Sequence, residues 1–187
     1  MFVEGILLLA GLIVIWFTGS APLPLLIVLG LIIVICVPTL PLVMQKAPPF
    51  IPTPKAIVDD MIALAVIKKG DRVYDLGCGD GRLLLAAAKQ GAIATGYELS
   101  IPALLIAKWR TRKYPQIDVR YGDFWKREYS DADVIFCYLL KEKMKMFEET
   151  IWLQMKPGTR VVSHAFKMPT VAVTAKRGGA VMYTKPR

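Results

Sequence analysis

Hydrophobic and polar positions divide this chain into two unlike parts. Residues 1–44 carry one charged side chain, Glu4, and no Lys or Arg. They hold two apolar runs, Gly5 to Phe17 and about Leu23 to Met44, on either side of Thr18-Gly19-Ser20-Ala21-Pro22-Leu23-Pro24. At ~1.5 Å per helical residue the second run is long enough to cross a hydrocarbon layer of ~30 Å. The first, at 13 residues, is short for an independent span. The Gly-Ser-Ala-Pro break reads as a tight turn, so the pattern predicts a transmembrane helical hairpin over 1–45. A single span preceded by an interfacial helix is the second reading. No positive charge precedes the apolar run, which argues against a cleaved signal peptide. Arg and Ser are too scarce there for a mitochondrial presequence.

Beyond Met44 the periodicities change. Residues 46–56 read as a stiff linker with four prolines within Pro48 to Pro54. A domain over 57–187 follows. Its first helix has Ile57, Met61, Ile62, Leu64 and Ala65 on one side and Asp59 and Asp60 on the other, and ends at Lys69-Gly70-Asp71. Strands and helices then alternate. Strands are predicted at Arg72–Leu76, Ala92–Glu98, Ile117–Tyr121, Asp133–Cys137 and Thr159–Ala165. Helices are predicted at Arg82–Gln90, Ile101–Lys113 and Lys141–Met155. Val171–Ala175 and Ala180–Thr184, flanking Lys176-Arg177-Gly178-Gly179, read as a terminal hairpin. The alternation predicts an α/β fold: a Rossmann-like parallel sheet covered on both faces, with an antiparallel hairpin at its end.

Charge sharpens this division. The net charge is +9 and the mean hydropathy +0.45. Residues 45–187 hold 24 basic and 14 acidic side chains, so an apolar head is joined to a basic body carrying +10. Lys46, Lys55, Lys68 and Lys69 follow the head, and the positive-inside rule places the body on the cytoplasmic side of a prokaryotic cell membrane. A basic body suits anionic lipid. No nucleic-acid-binding signature accompanies the charge, so no nucleic-acid partner is expected. The three cysteines, Cys36, Cys78 and Cys137, have no metal-site spacing and suit a reducing compartment; no metal is expected.

The residues that carry chemistry fall at strand ends, where open α/β sheets bind ligands. The first strand runs into Asp75-Leu76-Gly77-Cys78-Gly79-Asp80-Gly81, whose alternate glycines permit a tight turn and close approach to a ligand. The second ends in Glu98, placed to accept from both ribose hydroxyls of an adenosine. The third ends in Gly122-Asp123-Phe124-Trp125. Asp123 is placed to accept from the adenine amine and Phe124 to stack on the ring. The dinucleotide fingerprint requires glycine at position 82, which is Arg82. An acidic loop, with Asp75 and Asp80, suits the ammonium of S-adenosylmethionine, which has no pyrophosphate. Asp75, Gly77, Cys78, Gly79, Gly81, Glu98, Asp123 and Phe124 are thus the candidate cofactor residues. Cys78 and Cys137 end neighbouring strands, where an approach is one reading and two small buried thiols are the default one.

These motifs resemble the class I, seven-strand methyltransferases. Pro49-Phe50-Ile51-Pro52-Thr53-Pro54, a helix, Asp-Leu-Gly-x-Gly-Asp-Gly-Arg and Gly96-Tyr97-Glu98-Leu99 together resemble one small family among them. These are the membrane-anchored protein-lysine methyltransferases whose mitochondrial members modify the c-ring protein of ATP synthase and the adenine nucleotide translocase. Cys78 stands where that family usually has serine. The resemblance implies cofactor binding by Asp75, Gly77, Gly79, Gly81 and Glu98. It also implies that the Pro52-Thr53-Pro54 segment, including Thr53, helps close the site, while a plain spacer between membrane and domain is the other reading of those prolines.

The function expected is lysine methylation of a membrane-associated protein. The acceptor amine must be neutral, and a desolvated aromatic slot lowers its pKa. Phe50, Pro52 and Trp125 are the candidate substrate residues, and Tyr138, just beyond the fourth strand, is the candidate catalytic residue. No strong general base is evident. His164 falls at the right edge of the sheet, though a lone histidine is more often packed. Methylation of a lipid, quinone or other small apolar molecule is the alternative activity. A non-catalytic cofactor-binding membrane module is the third reading.

Overall fold

The computed structural model describes residues 52–187, together with Leu23, Pro24, Ile27, Val28, Gly30, Leu31, Ile33 and Val34, which are helical. The rest of the expected hairpin, and Phe50, lie outside the described residues. Among the described residues no helix is long and apolar enough to cross a membrane. The chain divides into a unit over Met1–Pro38 and a larger one over Thr39–Arg187.

The larger unit opens with helix α1 (Lys55–Ala65) and strand β1 (Arg72–Leu76), followed by α2 (Arg82–Lys89), β2 (Ile93–Glu98), α3 (Ile101–Thr111) and β3 (Ile117–Tyr121). A short 3-10 turn (Phe124–Lys126), β4 (Val134–Cys137), α4 (Lys141–Glu149), α5 (Ile151–Gln154) and β5 (Arg160–His164) come next. The hairpin β6 (Ala175–Arg177) and β7 (Ala180–Thr184) ends the chain. The seven strands form one sheet in the order β3-β2-β1-β4-β5-β7-β6. All neighbours from β3 to β5 are parallel, and β7 runs antiparallel to β5 and β6. The sheet reverses direction of growth between β1 and β4, which opens a crevice at their carboxyl ends.

Two-residue alternation sends side chains to opposite faces. Val73, Val134, Phe136 and Val162 join Met61, Leu64, Leu84 and Ala107 in one apolar cluster, so α1, α2 and α3 cover that face. Leu76, Ile135, Cys137 and Val161 join Met144, Phe147 and Trp152 in the other, beneath α4 and α5. Cys78 and Cys137 are free and belong to opposite clusters, which removes the expected approach between them.

The expected elements change in two places. The helix expected over Lys141–Met155 is broken at Thr150, whose backbone (φ −125°, ψ −71°) leaves the helical region. The first hairpin arm lies at Ala175–Arg177 instead of Val171–Ala175. Gly178 adopts φ +50°, so the turn is made by Gly178-Gly179 alone and Arg177 pairs with Ala180. Arg177 also reaches Asp60 of α1 at 3.0 Å.

Arg160 closes the end of α1. It donates to the carbonyls of Ala65 and Val66, each at 2.5 Å, and pairs with Asp71 at 2.6 Å. Gly96, in the middle of β2, is required by close packing. A Cβ there would lie 2.5 Å from Leu84 Cδ1 and 2.7 Å from Cys78 Cβ and Sγ. Gly96→Ala should therefore overpack the loop against α2, at a cost of about 1–3 kcal/mol. Urea denaturation read by circular dichroism checks this, and an unchanged midpoint would contradict it.

Candidate active site

The loop from Leu76 to Gly81 is stitched to the neighbouring strand before any ligand is considered. The N–H groups of Gly77 and Cys78 both donate to Tyr97 O at 3.0 Å, and Gly81 N–H donates to Cys78 O at 2.9 Å. Gly77, Gly79 and Gly81 all have positive φ (+78°, +53°, +75°), a region that glycine occupies without steric cost. Their surroundings differ. A Cβ on Gly77 would meet nothing within 4 Å, so that residue faces open space. A Cβ on Gly81 would lie 3.1 Å from Ala107 Cβ and 3.3 Å from Thr111 Cγ2, so that residue lets α2 pack against α3.

Three acidic side chains converge here, and each is handled differently. Asp80 receives Arg82 Nε at 2.9 Å and Arg82 Nη2 at 2.6 Å, and it forms an ion pair with Arg110. Burial alone would raise its pKa, but the hydrogen bonds and charges of the two guanidinium groups outweigh that and hold it at about 2. Glu98 is buried and accepts three backbone N–H groups: Gly79 to Oε2 at 2.9 Å, and Leu99 and Ser100 to Oε1 at 2.9 and 2.7 Å. Asp75 has no such support. Burial first, then the nearby Glu98 and Asp80 charges, push its pKa up to about 8, and among the described residues no side-chain hydrogen bond reaches its carboxyl group. The acidity expected of Asp75 and Asp80 together thus belongs to Asp75 alone, because Asp80 is committed to its arginines.

Arg82 links this cluster to the proline-rich segment. Its Nη1 donates to the carbonyl of Thr53, and Thr53 is buried beside the exposed Pro52. A free spacer would leave Thr53 in solvent, so the segment packs on the loop. Arg110, which also donates to the Asp80 carbonyl at 3.0 Å, is a site residue that sequence reasoning misses. Its only signal is an uncompensated Asp80, and the partner lies on another helix.

The remaining candidates scatter. Asp123 is half-buried and its Oδ1 accepts the Trp125 N–H at 3.2 Å, capping the short 3-10 turn. Phe124 is only 2% exposed and sits in the cluster under α4 and α5, with Tyr129 Oη donating to its carbonyl at 2.7 Å. Its ring packs the core, which corrects the expected stacking on adenine. Trp125 is half-buried with its ring 4.8 Å from that of Phe124. The Cys78 side chain also faces the core, where burial lifts its thiol pKa well above the ordinary value, so only its backbone borders the loop. Tyr138 is half-buried directly after β4, and its ring meets that of His164 edge-on at 4.7 Å. His164 Nδ1 lies 2.9 Å from Gly179 O. A carbonyl only accepts, so Nδ1 is the donor in this contact.

The loop fits a ligand that brings a cation to Asp75 and passes close to the Gly77 backbone. It contains no cluster of basic side chains to hold a pyrophosphate, since Arg82 and Arg110 are engaged by Asp80. The ANTKMT methyltransferase domain family matches residues 75–175, beginning at this aspartate. The chain belongs to that family. A protein-lysine N-methyltransferase of Saccharolobus islandicus is 35% identical over 125 residues, covering 64% of this chain and 78% of the relative. An adenine nucleotide translocase lysine N-methyltransferase of Mus musculus is 29% identical over 126 residues, and the match spans 65% of this chain but only 55% of that relative's length. The crystal structure of an RNA methyltransferase from Salinibacter ruber in complex with S-adenosyl-L-homocysteine superposes with a TM-score of 0.67 at 34% identity, covering 73% of this chain and 94% of that one. The fold is that of a class I methyltransferase, and the cofactor of this family member is S-adenosylmethionine.

A ligand ammonium placed against Asp75 would make its binding a proton-linked event. A bound ammonium favours the carboxylate, whereas the ligand-free site near pH 7 favours the acid. Affinity should therefore rise with pH up to about 8 and then level off. Calorimetry at pH 7 in buffers of different ionisation enthalpy should show nearly one proton released per S-adenosylhomocysteine bound. Asp75→Asn should bind weakly and release none; full release in that variant would contradict the assignment. In the ligand-free protein the same group makes stability fall as pH rises from about 4, its unfolded value, to about 8.

Arg82→Ala should uncouple Thr53 from the loop. We expect a several-fold loss of cofactor affinity and faster amide exchange at Thr53, both read on the purified chain. Unchanged exchange would show that the segment is held by other contacts.

Proposed function

We propose that this protein is a membrane-anchored S-adenosylmethionine-dependent lysine N-methyltransferase acting on a membrane-associated protein, with its catalytic domain on the cytoplasmic side. The observation that carries the chemistry is Asp75, a buried carboxylate with repulsive neighbours, set beside the open space at Gly77. The lysine acceptor is supported by the names of the relatives, the S. islandicus protein-lysine enzyme and the mouse translocase enzyme. The anchor is supported by the apolar run over 1–45, whose one charged side chain is Glu4, and by the exposed apolar side chains of Leu23, Ile27, Val28, Leu31, Ile33 and Val34. In this reading 46–56 is the linker and 57–187 the catalytic domain.

When bound, S-adenosylmethionine supplies a methyl group on a sulfonium already activated as a leaving group. Asp75 takes the ammonium. Glu98 Oε2, with one backbone donor, keeps a lone pair for a ribose hydroxyl. Asp123 stands at the third strand end for the adenine amine, and the buried Thr53 segment covers the loop. Tyr138 borders the acceptor path at the end of β4, with Trp125 and Pro52 as further candidates for its wall. An aromatic wall excludes water, favours the neutral amine and accommodates a methylated cation. Positioning the amine in line with the methyl group is then the main contribution of the protein.

Radiolabelled cofactor and host membranes test the acceptor class. Label should enter a protein band and disappear when the acceptor lysines are changed to arginine. Label confined to the organic extract would sink the lysine reading. Tyr138→Phe should bind S-adenosylhomocysteine normally yet lower turnover roughly ten- to a hundred-fold, as expected for a lost positioning contact. Wild-type turnover in that variant would remove Tyr138 from the site.

A further inference from the structure

A surface helix normally turns apolar side chains to the core and polar or charged ones to solvent. Helix α3 departs from that pattern by also exposing large apolar side chains. Its inner side chains Ala103, Leu104, Ala107 and Thr111 are buried against the sheet and α2. Its outer face presents Leu105, Ile106 and Trp109 at 60%, 46% and 66% exposure. Lys108 is exposed on the same face, and Arg112 and Lys113 follow it one turn on. Arg112 lies over the Trp109 ring, 4.3 Å from its centroid.

The charge along this helix and the turn after it has one sign. Between Glu98 and Asp118 the chain has four basic residues, Lys108, Arg110, Arg112 and Lys113, and no acidic one. On the opposite layer, α4 carries three basic and three acidic residues. A groove of about 810 Å³ runs from Arg110 between α1 and α2, lined by apolar side chains including Ile62 and Val66 and by Lys55 and Lys89, with one acidic side chain, Asp59.

We propose that the outer face of α3 is a lipid-docking surface that seats the methyltransferase domain on an anionic bilayer. Trp and branched aliphatic side chains enter the interfacial zone, while flanking Lys and Arg meet phosphate headgroups. A protein partner would find few groups to pair with beyond cations and apolar tips. An RNA would be met by cations interleaved with aliphatic side chains, which provide no base-stacking surface beyond Trp109. The inference is independent of the acceptor and of the N-terminal anchor.

The test uses the full chain in a Cys36→Ser background, with an environment-sensitive fluorophore on Ile106→Cys. A second protein carries it on Leu153→Cys, exposed on the opposite layer. Each is mixed with vesicles of phosphatidylcholine alone or with phosphatidylglycerol added. The probe at 106 should shift to the blue with phosphatidylglycerol, more than with the neutral lipid, and lose that shift at high salt; the probe at 153 should not move. Lys108→Glu, Arg112→Glu and Lys113→Glu together should abolish the shift at 106 and leave S-adenosylhomocysteine affinity unchanged. No shift at 106, an equal shift at 153, or a shift that survives charge reversal would overturn the proposal. So would a shift produced by single-stranded RNA and not by anionic vesicles.

Discussion

Three carboxyl groups meet at one end of this sheet, and the local architecture follows from how their repulsion is settled. Asp80 is neutralised by two guanidinium groups, one of which also holds Thr53. Glu98 is solvated by three backbone N–H groups of the loop and of the turn into α3. Asp75 is left with no partner among the described residues and is settled only by taking up a proton. A cofactor that brings its own cation completes the set. Under the proposed function, the site would recognise its ligand partly through an electrostatic deficit within the fold.

Much of this was legible in the sequence because it depends on short-range rules. Strand and helix alternation, the Gly-x-Gly-x-Gly turn and the acidic residue ending β2 are local patterns, and they appear where those patterns place them apart from the break at Thr150 and the shifted first hairpin arm. The parallel sheet with a terminal antiparallel hairpin follows from the alternation and the Gly178-Gly179 turn. What local patterns do not encode is the direction in which a side chain leaves the backbone after an irregular turn. Phe124 follows Asp123 in a Gly-Asp-Phe-Trp run that reads as a ligand wall, yet the 3-10 turn carries its ring into the core beside Tyr97 and Tyr129. Neither was it legible that, of two buried aspartates, Asp80 is neutralised by arginines and Asp75 is not. That separation depends on Arg110, whose position relative to the loop is set by the packing of α3 on α2.

The glycines show the same limit. Gly77 and Gly81 look equivalent in the sequence and share a positive φ, but one leaves room for a ligand and the other leaves room for a helix. Gly96 carries no loop signature at all, yet its missing side chain is where Cys78 and Leu84 pack. Cys78 in a position that the resemblance associates with serine is explained by this contact. A small side chain is needed against Gly96, and a sulfur in an apolar cluster costs less desolvation than a hydroxyl without a partner.

Helix α3 brings the two electrostatic halves of the protein together. Its inward residues pack on the sheet, its edge residue Arg110 neutralises Asp80, and its outer residues form the basic, apolar face. Eleven residues at ~1.5 Å each make a rigid element of roughly 16 Å. Such an element cannot tilt at one end without moving the other. A surface that orients α3 from outside must therefore also orient Arg110, and with it the Asp80, Arg82 and Thr53 contacts that cover the cofactor loop. The positive exterior and the negative interior are not independent features of composition, since one helix supplies a charge to each.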